Sequence, residues 1–373
     1  MESRKVGILG ATGMVGQRFI QLLSNHPWFE IAWLAASDRS AGKRFDEACR
    51  WRLDTPLPAH IAAMTLMSNR PEQTPHSELP RIIFAALDAD AAHELEPAFA
   101  AAGCAVISNS SAFRMTSDVP LVVPEVNADH LALLEKQTWP SASATGHHGG
   151  YIVTNPNCCA IGLVLALAPI QARFGIESIF VTTLQAVSGA GYPGVASLDI
   201  LGNVIPFIKN EEEKLQEECF KLLGKLSGDH IEVLDARMSA HCNRVAVEDG
   251  HTECVSLKLR TPATYEQIIA AWADFTPLAH LNLPSAPAQP VEYLEAIDRP
   301  QPRLDRMRGN GMASTVGRLR PCSIFEWKFV VLSHNTIRGA AGAAILNAEL
   351  LAVSNKLPGS AKLPDAAKGT PRA

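Results

Sequence analysis

No run of apolar residues in this chain is long enough to cross a bilayer, and the N-terminus enters a strand-like segment at Lys5 without the charged and apolar regions of a signal peptide. Neither membrane insertion nor secretion is expected. Charge of one sign is also lacking. The net charge of −5 is spread along the sequence without an acidic or basic block, so there is no nucleic-acid footprint, and the scattered Arg and Lys suit small anions. The 8 cysteines, at 49, 104, 158, 159, 219, 242, 254 and 322, form no CxxC pair and no regular spacing, which argues against a zinc or disulfide framework. A reducing, cytoplasmic setting fits them. Internal repeats are absent.

What is present fills two globular domains: 373 residues, of which 47% are hydrophobic. The central stretch runs from Tyr151 to Ile161. Ile152-Val153-Thr154 ends a strand, Asn155-Pro156-Asn157 supplies a turn and a capping side chain, and Ala160 to Ala168 is a helix apolar on every side. Pro169 is expected to end or bend that helix. Cys158 then lies in the first turn, where free amides and the helix dipole favour an anion and lower a thiol pKa. Cys159 reads as a core residue, the usual fate of a cysteine in an intracellular chain.

The N-terminal region has the order that cradles a pyrophosphate. The strand Lys5–Leu9 meets the turn Gly10-Ala-Thr-Gly-Met-Val-Gly16, and Gln17–Leu23 has amphipathic helical spacing. Gly10, Thr12, Gly13, Met14 and Val15 are the candidate cradle, although Gly10-x-x-Gly13-x-x-Gly16 departs from the standard GxGxxG. After the second strand, Phe29–Ala36, the chain offers Arg39, Ser40 and Lys43, which favours NADP over NAD; Asp38 competes as a partner for a ribose hydroxyl. Strands at Arg81–Leu87 and Cys104–Ser108 flank a helix from Ala91 to Ala102, continuing a doubly wound sheet. Arg114 follows in a polar segment at a strand end, where it either holds a phosphate or carboxylate or lies on the surface. Ala142–Gly150 reads as a flexible loop, and no metal site is expected at its His147 and His148, which lack ligand partners.

Beyond the central helix the pattern becomes β-rich. The strand Ser178–Val187 carries Gln185 near its end and enters the loop Ser188–Gly194. A helix begins at Asn210, with Leu215, Cys219, Leu222, Leu223 and Leu226 at helical spacing. Glu211 and Lys214 share one face of it and, on spacing alone, read as a solvated ion pair. Arg244, ahead of a short strand, can clamp a carboxylate, and His251, in the turn before the strand Glu253–Leu259, can exchange a proton with a thiol. Arg303, Arg306, Arg308, Arg318 and Arg320 are expected on loops or an intersubunit surface. Ile324–Leu332 is expected as a strand, followed by Ser333–Gly342 leading into a helix through Leu351. The tail after Leu357 has little hydrophobic content and is expected to be disordered.

Five segments together carry a family likeness: Gly-Ala-Thr-Gly-Met-Val-Gly from Gly10, Asn-Pro-Asn-Cys-Cys around Cys158, Glu-Glu-Glu-Lys at 211–214, Arg-Val-Ala-Val-Glu-Asp-Gly-His at 244–251, and Asn-Thr-Ile-Arg-Gly-Ala-Ala-Gly from Asn335. Over nearly its whole length the sequence resembles aspartate-semialdehyde dehydrogenase, in its fungal and archaeal branch. The implied fold is α/β: a Rossmann-type NADP-binding domain and an α+β catalytic and dimerisation domain like that of glyceraldehyde-phosphate dehydrogenase, in a homodimer or homotetramer. The expected division is 1–157 with 336–373, and 158–335.

The resemblance implies Cys158 as nucleophile, His251 as acid/base, Gln185 and Glu211 orienting the substrate and Arg244 holding its carboxylate. Arg114, Asn157 and Lys214 become the site for inorganic phosphate, and Ser188, Gly189 and Asn335 join Arg39 and Ser40 as cofactor contacts. The implied reaction is the reversible reductive dephosphorylation of L-4-aspartyl phosphate to L-aspartate 4-semialdehyde through a cysteine thioester, in lysine, threonine and methionine biosynthesis. Two positions depart from the family: Ala246 stands where Pro is frequent, and Cys159 where Ser or Thr is more usual. Rival readings are a reductase of malonyl-CoA, succinyl-CoA or N-acetylglutamyl phosphate on the same scaffold, or a non-catalytic dinucleotide-binding redox sensor using Cys158 and Cys159.

Overall fold

The chain opens on strand β1 (Arg4–Leu9), whose last residues are fully buried, and turns through the glycine segment into α1 (Met14–Leu23), which packs its buried face back on the sheet. β2 (Phe29–Ala36), β3 (Met67–Ser68), β4 (Ile82–Ala85), α2 (Ala89–Ala101), β5 (Ala105–Ser108), α3 (Pro124–Asn127) and β6 (Tyr151–Thr154) complete the first half. Every pairing among these strands is parallel, in the order β3-β2-β1-β4-β5-β6. This is the doubly wound arrangement that the alternation of apolar strands and helices predicts. A computed structural model describes residues 3–139 and 150–358; His147, His148 and the tail beyond Pro358 lie outside the described residues.

Helix α4 (Cys158–Phe174) follows β6 directly and is buried on nearly every face. Of the two outcomes expected at Pro169, an end or a bend, the helix does not end there. The helix continues to Gly175, whose φ of +67° ends it, because both flanks of the proline are packed in one apolar core. The second sheet wraps that core. It contains β7 (Ile176–Gln185), then, after α5 (Glu211–Leu222) and the small ribbon β8 (Lys225–Ser227) with β9 (His230–Glu232), the strands β10 (Arg237–Arg244) and β11 (His251–Leu259). Helix α6 (Tyr265–Ala273), β12 (Val291–Leu294), β13 (Ser314–Pro321) and β14 (Trp327–Ser333) complete it, in the mixed order β10-β7-β11-β14-β13-β12.

Register decides where the site forms. β7 and β10 run parallel and end together, Gln185 opposite Arg244. β11 runs antiparallel to β7 and β14, so its first residue, His251, lies opposite Ser333 at the end of β14. Residues separated by more than a hundred positions thereby meet at one end of the sheet, beside the start of α4. Two local expectations change here. Arg244 closes a strand instead of preceding one, and His251 begins β11 instead of lying in the turn before it.

The last helix, α7 (Gly342–Val353), returns to the first sheet, where Ala344, Ile345 and Leu346 join the same core as Val6, Ile8 and Phe84. A π-helical turn, Ile337–Ala341, precedes it where an uninterrupted helix entry was expected. Arg338 in this turn makes a two-pronged contact with Glu125 of α3, at 2.8 and 2.6 Å, and both side chains are wholly buried. The strand expected at Ile324–Leu332 begins only at Trp327. Cys322 to Glu326 form the preceding hairpin turn, closed by the Cys322 amide donating to the Glu326 carbonyl at 3.0 Å. Arg318 and Arg320 belong to β13 and Arg303 to a single helical turn, so the arginine-rich stretch is not simply a loop. No helix among the described residues is long and apolar enough to cross a membrane.

Removing one partner of the Glu125–Arg338 pair strands a buried charge. Glu125→Ala is expected to cost about 3–5 kcal/mol of stability, read from the denaturant midpoint. A loss below about 1 kcal/mol would show that the π turn is held by packing alone.

Candidate active site

The site begins with a cap. The Asn157 side chain accepts from the Cys159 and Ala160 amides at 2.8 and 3.3 Å, which fixes the first turn of α4. Cys158 is the first helical residue and remains partly accessible, whereas Cys159 is buried beneath it. The Cys158 sulfur lies 3.1 Å from Nε2 of His251. On the other side of the ring, Nδ1 accepts from the Ala186 backbone N–H at 3.0 Å. A neutral imidazole that accepts at Nδ1 carries its proton on Nε2, so His251 points an N–H at the sulfur. This arrangement favours a thiolate that accepts a hydrogen bond.

The surroundings agree. The Cys158 thiol is held well below the usual range, first by donation from the Cys159 thiol, which with His251 and Arg114 outweighs the opposing effect of burial. Cys159 is pushed well up, by burial and then by its anionic neighbour, and stays protonated as that donor. Glu253 is fully buried on the same face of β11 as His251, with neither carboxyl oxygen paired. Burial and then the Cys158 charge push its carboxyl well up. The donor atoms of Cys158, Cys159 and His251 lie within 4.8 Å of one another, close enough for each to feel the others' charge.

Around this pair the other candidates fall into connected groups. Arg244 donates to the Ala186 carbonyl at 2.7 Å, and a Cβ placed on Gly189 would lie 3.0 Å from its Nη1 and 3.2 Å from Cε1 of His251. Asn335 accepts from the Gly250 amide at 2.8 Å and donates to the Ser188 hydroxyl at 2.7 Å, tying the turn before His251 to the loop above it. Glu211 is buried and accepts at one oxygen from both Gln185 and Asn157, each at 2.9 Å, so it is not the solvated partner of Lys214 that spacing alone suggested. Arg114 donates to Glu218 at 3.0 Å and to the Asn109 carbonyl at 2.8 Å and is buried, not a surface residue. Lys214 lies half-buried on α5, one turn beyond Glu211.

The glycine turn can hold a dinucleotide. Gly10 has a φ of +80°, and a Cβ there would meet the Ala86 carbonyl oxygen at 2.5 Å. Gly13 at the N-cap of α1 makes no side-chain cap, which leaves the first amides of the helix available to an anion, with Thr12, Met14 and Val15 beside them. Arg39 is exposed and Ser40 half-buried in the turn after β2, within the segment expected to meet a cofactor ribose.

Family models for the semialdehyde dehydrogenase NAD-binding domain and dimerisation domain match residues 5–134 and 167–338. An aspartate-semialdehyde dehydrogenase of Archaeoglobus fulgidus is 49% identical over 346 residues, covering 93% of this chain and 97% of that protein. The chain belongs to the aspartate-semialdehyde dehydrogenase family. Another member, from Candida albicans, is 45% identical over 365 residues, covering 95% of this chain and all of that protein. A crystal structure of the Candida albicans enzyme with NADP superposes with a TM-score of 0.86 at 44% identity, covering 94% of this chain and 99% of that one. Aspartate semialdehyde dehydrogenase II of Vibrio cholerae, complexed with ASA, superposes at 0.73 with 28% identity, covering 95% and 99%.

Several buried groups of this aspartate-semialdehyde dehydrogenase family member escaped the sequence reading. Glu218 and Lys221 continue the Glu211–Lys214 face of α5 at i+7 and i+10, so the same helical spacing marks them. Asp249, two residues before His251, meets Arg18 of α1 at 3.7 Å and His334 at 4.0 Å. Burial pushes His334 down to about 4, so it sits there uncharged at neutral pH. No local pattern announces these contacts.

A preformed thiolate has a direct signature. Alkylation of Cys158 by iodoacetamide is expected to stay near its maximal rate at about pH 7, well below the inflection near 8.5 of an ordinary thiol. Cys159→Ala, which removes the donor, is expected to move the inflection upward, and Cys159→Ser to leave it close to the parent. An ordinary inflection in the parent protein would remove the thiolate assignment.

Proposed function

We propose that the protein catalyses the NADP-dependent interconversion of L-aspartate 4-semialdehyde and L-4-aspartyl phosphate through a thioester on Cys158. The carrying observation is the 3.1 Å approach of the Cys158 sulfur to a protonated Nε2, at the same sheet end as Arg244. Relatives bearing the aspartate-semialdehyde dehydrogenase name, and a neighbour solved with NADP, support the substrate and the cofactor.

In the oxidative direction Cys158 adds to the aldehyde as the thiolate, so no proton need be taken from sulfur at that step. The acid/base role implied for His251 narrows to that of a donor. Its Nε2–H stabilises the sulfur at rest and the oxyanion once the carbon–sulfur bond has formed, and protonating Nδ1 would set it against the Ala186 amide. When bound between the glycine turn, Arg39, Ser40, Ser188, Gly189 and Asn335, the nicotinamide cofactor supplies the hydride exchange between the aldehyde and acyl levels. Arg244 holds the substrate carboxylate, and Gln185 and Glu211 orient the remainder. Phosphate at Arg114, Asn157 and Lys214 displaces Cys158 from the thioester, and sulfur is a good enough leaving group to depart.

The proposed division of the chain is 1–157 with 336–373 for cofactor binding and 158–335 for catalysis and assembly, in a homodimer or homotetramer. The dimerisation-domain match supports assembly. The eight cysteines, all free, are in keeping with a reducing cytoplasm.

Phosphate-dependent reduction of NADP by aspartate semialdehyde tests the reading. Cys158→Ser is expected to lower turnover by about four orders of magnitude or more. Cys159→Ser keeps a donor and is expected to retain turnover within about tenfold. Arg244→Lys loses the planar fork, with an expected rise of about 10–100-fold in the semialdehyde KM. Faster turnover of N-acetylglutamyl phosphate or malonyl-CoA in the reductive direction would reassign the acyl group.

A further inference from the structure

Helix α5 carries four charged side chains at helical spacing, Glu211, Lys214, Glu218 and Lys221, and the last two are the more deeply buried of its charges not yet given a role, at 2% and 5% exposure. Glu218 divides its carboxylate. One oxygen accepts from Nη1 of Arg114 at 3.0 Å, and the other accepts from the backbone N–H of Asn157 at 2.6 Å, the residue immediately before the nucleophile. Lys221 spends all three of its N–H groups on one loop, donating to the carbonyls of Arg114, Thr116 and Val119 at 2.7, 2.9 and 3.0 Å. Arg114 is therefore gripped twice from a single helix, by its guanidinium through Glu218 and by its own carbonyl through Lys221.

We infer that Glu218 and Lys221 are positioning residues for the phosphate step, holding Arg114 and Asn157 in one fixed relation to Cys158. The inference rests on the reading of Arg114 and Asn157 as phosphate ligands. Its physical basis is that β5 and β6 are registered through Ser108 with Thr154 and Asn109 with Asn155, short of Arg114, whose guanidinium must still be set against Cys158 at the start of α4. A carboxylate shared between the arginine and the amide next to the nucleophile supplies that register. Glu218 and the Asn109 carbonyl orient the guanidinium through Nη1 and Nη2 and leave Nε buried without a partner, so Arg114 is held in place with donors still unspent.

Steady-state kinetics of the full-length protein decide the matter, varying phosphate and semialdehyde separately. The parent is measured first. Absence of phosphate-dependent turnover there would defeat the functional reading itself, whatever Glu218 does. In Glu218→Gln the amide offers one acceptor and one donor, so either Arg114 or the Asn157 N–H faces another N–H. The phosphate KM is expected to rise about tenfold or more while the semialdehyde KM stays within about twofold. Lys221→Met frees the 114–119 loop without touching Glu218 and is expected to show the same split; it decides the case if Glu218→Gln does not fold. An unchanged phosphate KM in the folded variants would assign these residues to stability alone. A parallel rise in both constants would mean general collapse of the site, and a lower phosphate KM in Glu218→Gln would make Glu218 a competitor for Arg114; each overturns the inference.

Discussion

The hydrogen bond between the Ala186 amide and Nδ1 of His251 is the constraint from which the chemistry of this protein follows. It fixes the tautomer, and with it the sign of what the imidazole offers to the sulfur. That bond exists because β7 ends where β11 begins, Leu184 opposite Thr252, so the residue after Gln185 presents its N–H to the first side chain of the returning strand. Slipping β11 by one residue would turn His251 to the opposite face of the sheet and bring Thr252 toward Cys158. The pairing of Cys158 with His251 is thus a property of sheet register before it is a property of either residue.

Cys158 and the glycine turn belong to different connections of the fold, β6 to α4 and β1 to α1, and buried charges tie the elements around them together. Arg114 reaches Glu218, Lys221 reaches the 114–119 loop, Arg338 reaches Glu125, and Arg18 of the glycine-turn helix approaches Asp249 just ahead of His251. Buried pairs of this kind add little net stability over apolar packing, since desolvation offsets their attraction. Their geometric demands are strict, however, and an interface built from them tolerates only one relative placement. The π turn at 337–341 adds to this. It presses Gly339 so close to the nucleophile that a Cβ there would come within 2.7 Å of the Cys158 Cβ, which leaves the first turn of α4 no room to shift.

The parts of this design that depend on neighbours in sequence were legible from the residues alone. Strand, glycine turn and helix at the N-terminus, the capping Asn157, the buried α4 and the exposed Arg39 are all local consequences of composition and spacing. Arg244 and His251 were legible as chemical types but not as a pair, because only the parallel pairing of β10 with β7 and the antiparallel pairing of β11 with β7 and β14 bring them to one end of the sheet. Glu211 read as a surface charge because nothing near it in sequence indicates that Gln185 and Asn157 will donate to it. The resemblance to a family supplied those roles in advance; the physical reason for them appears only in the tertiary contacts. Pro169 shows the opposite failure, a strong local signal overridden when both sides of the residue are needed in one core.

Two identical side chains, adjacent in sequence, are driven to opposite states here. Ionisation of Cys158 makes ionisation of Cys159 harder, because the second charge would be buried against the first, and each therefore reinforces the state of the other. Helix geometry breaks the symmetry. Cys158 faces the Nε2–H of His251 and the cleft, while Cys159 points into the core near Glu253, whose carboxyl is pushed up by burial and by the Cys158 charge. Of the three groups two are driven upward, and only Cys158, the one that is not buried, is drawn down. The thiol at 159 can fill the donor position because burial, and then its neighbour's charge, push its ionisation up.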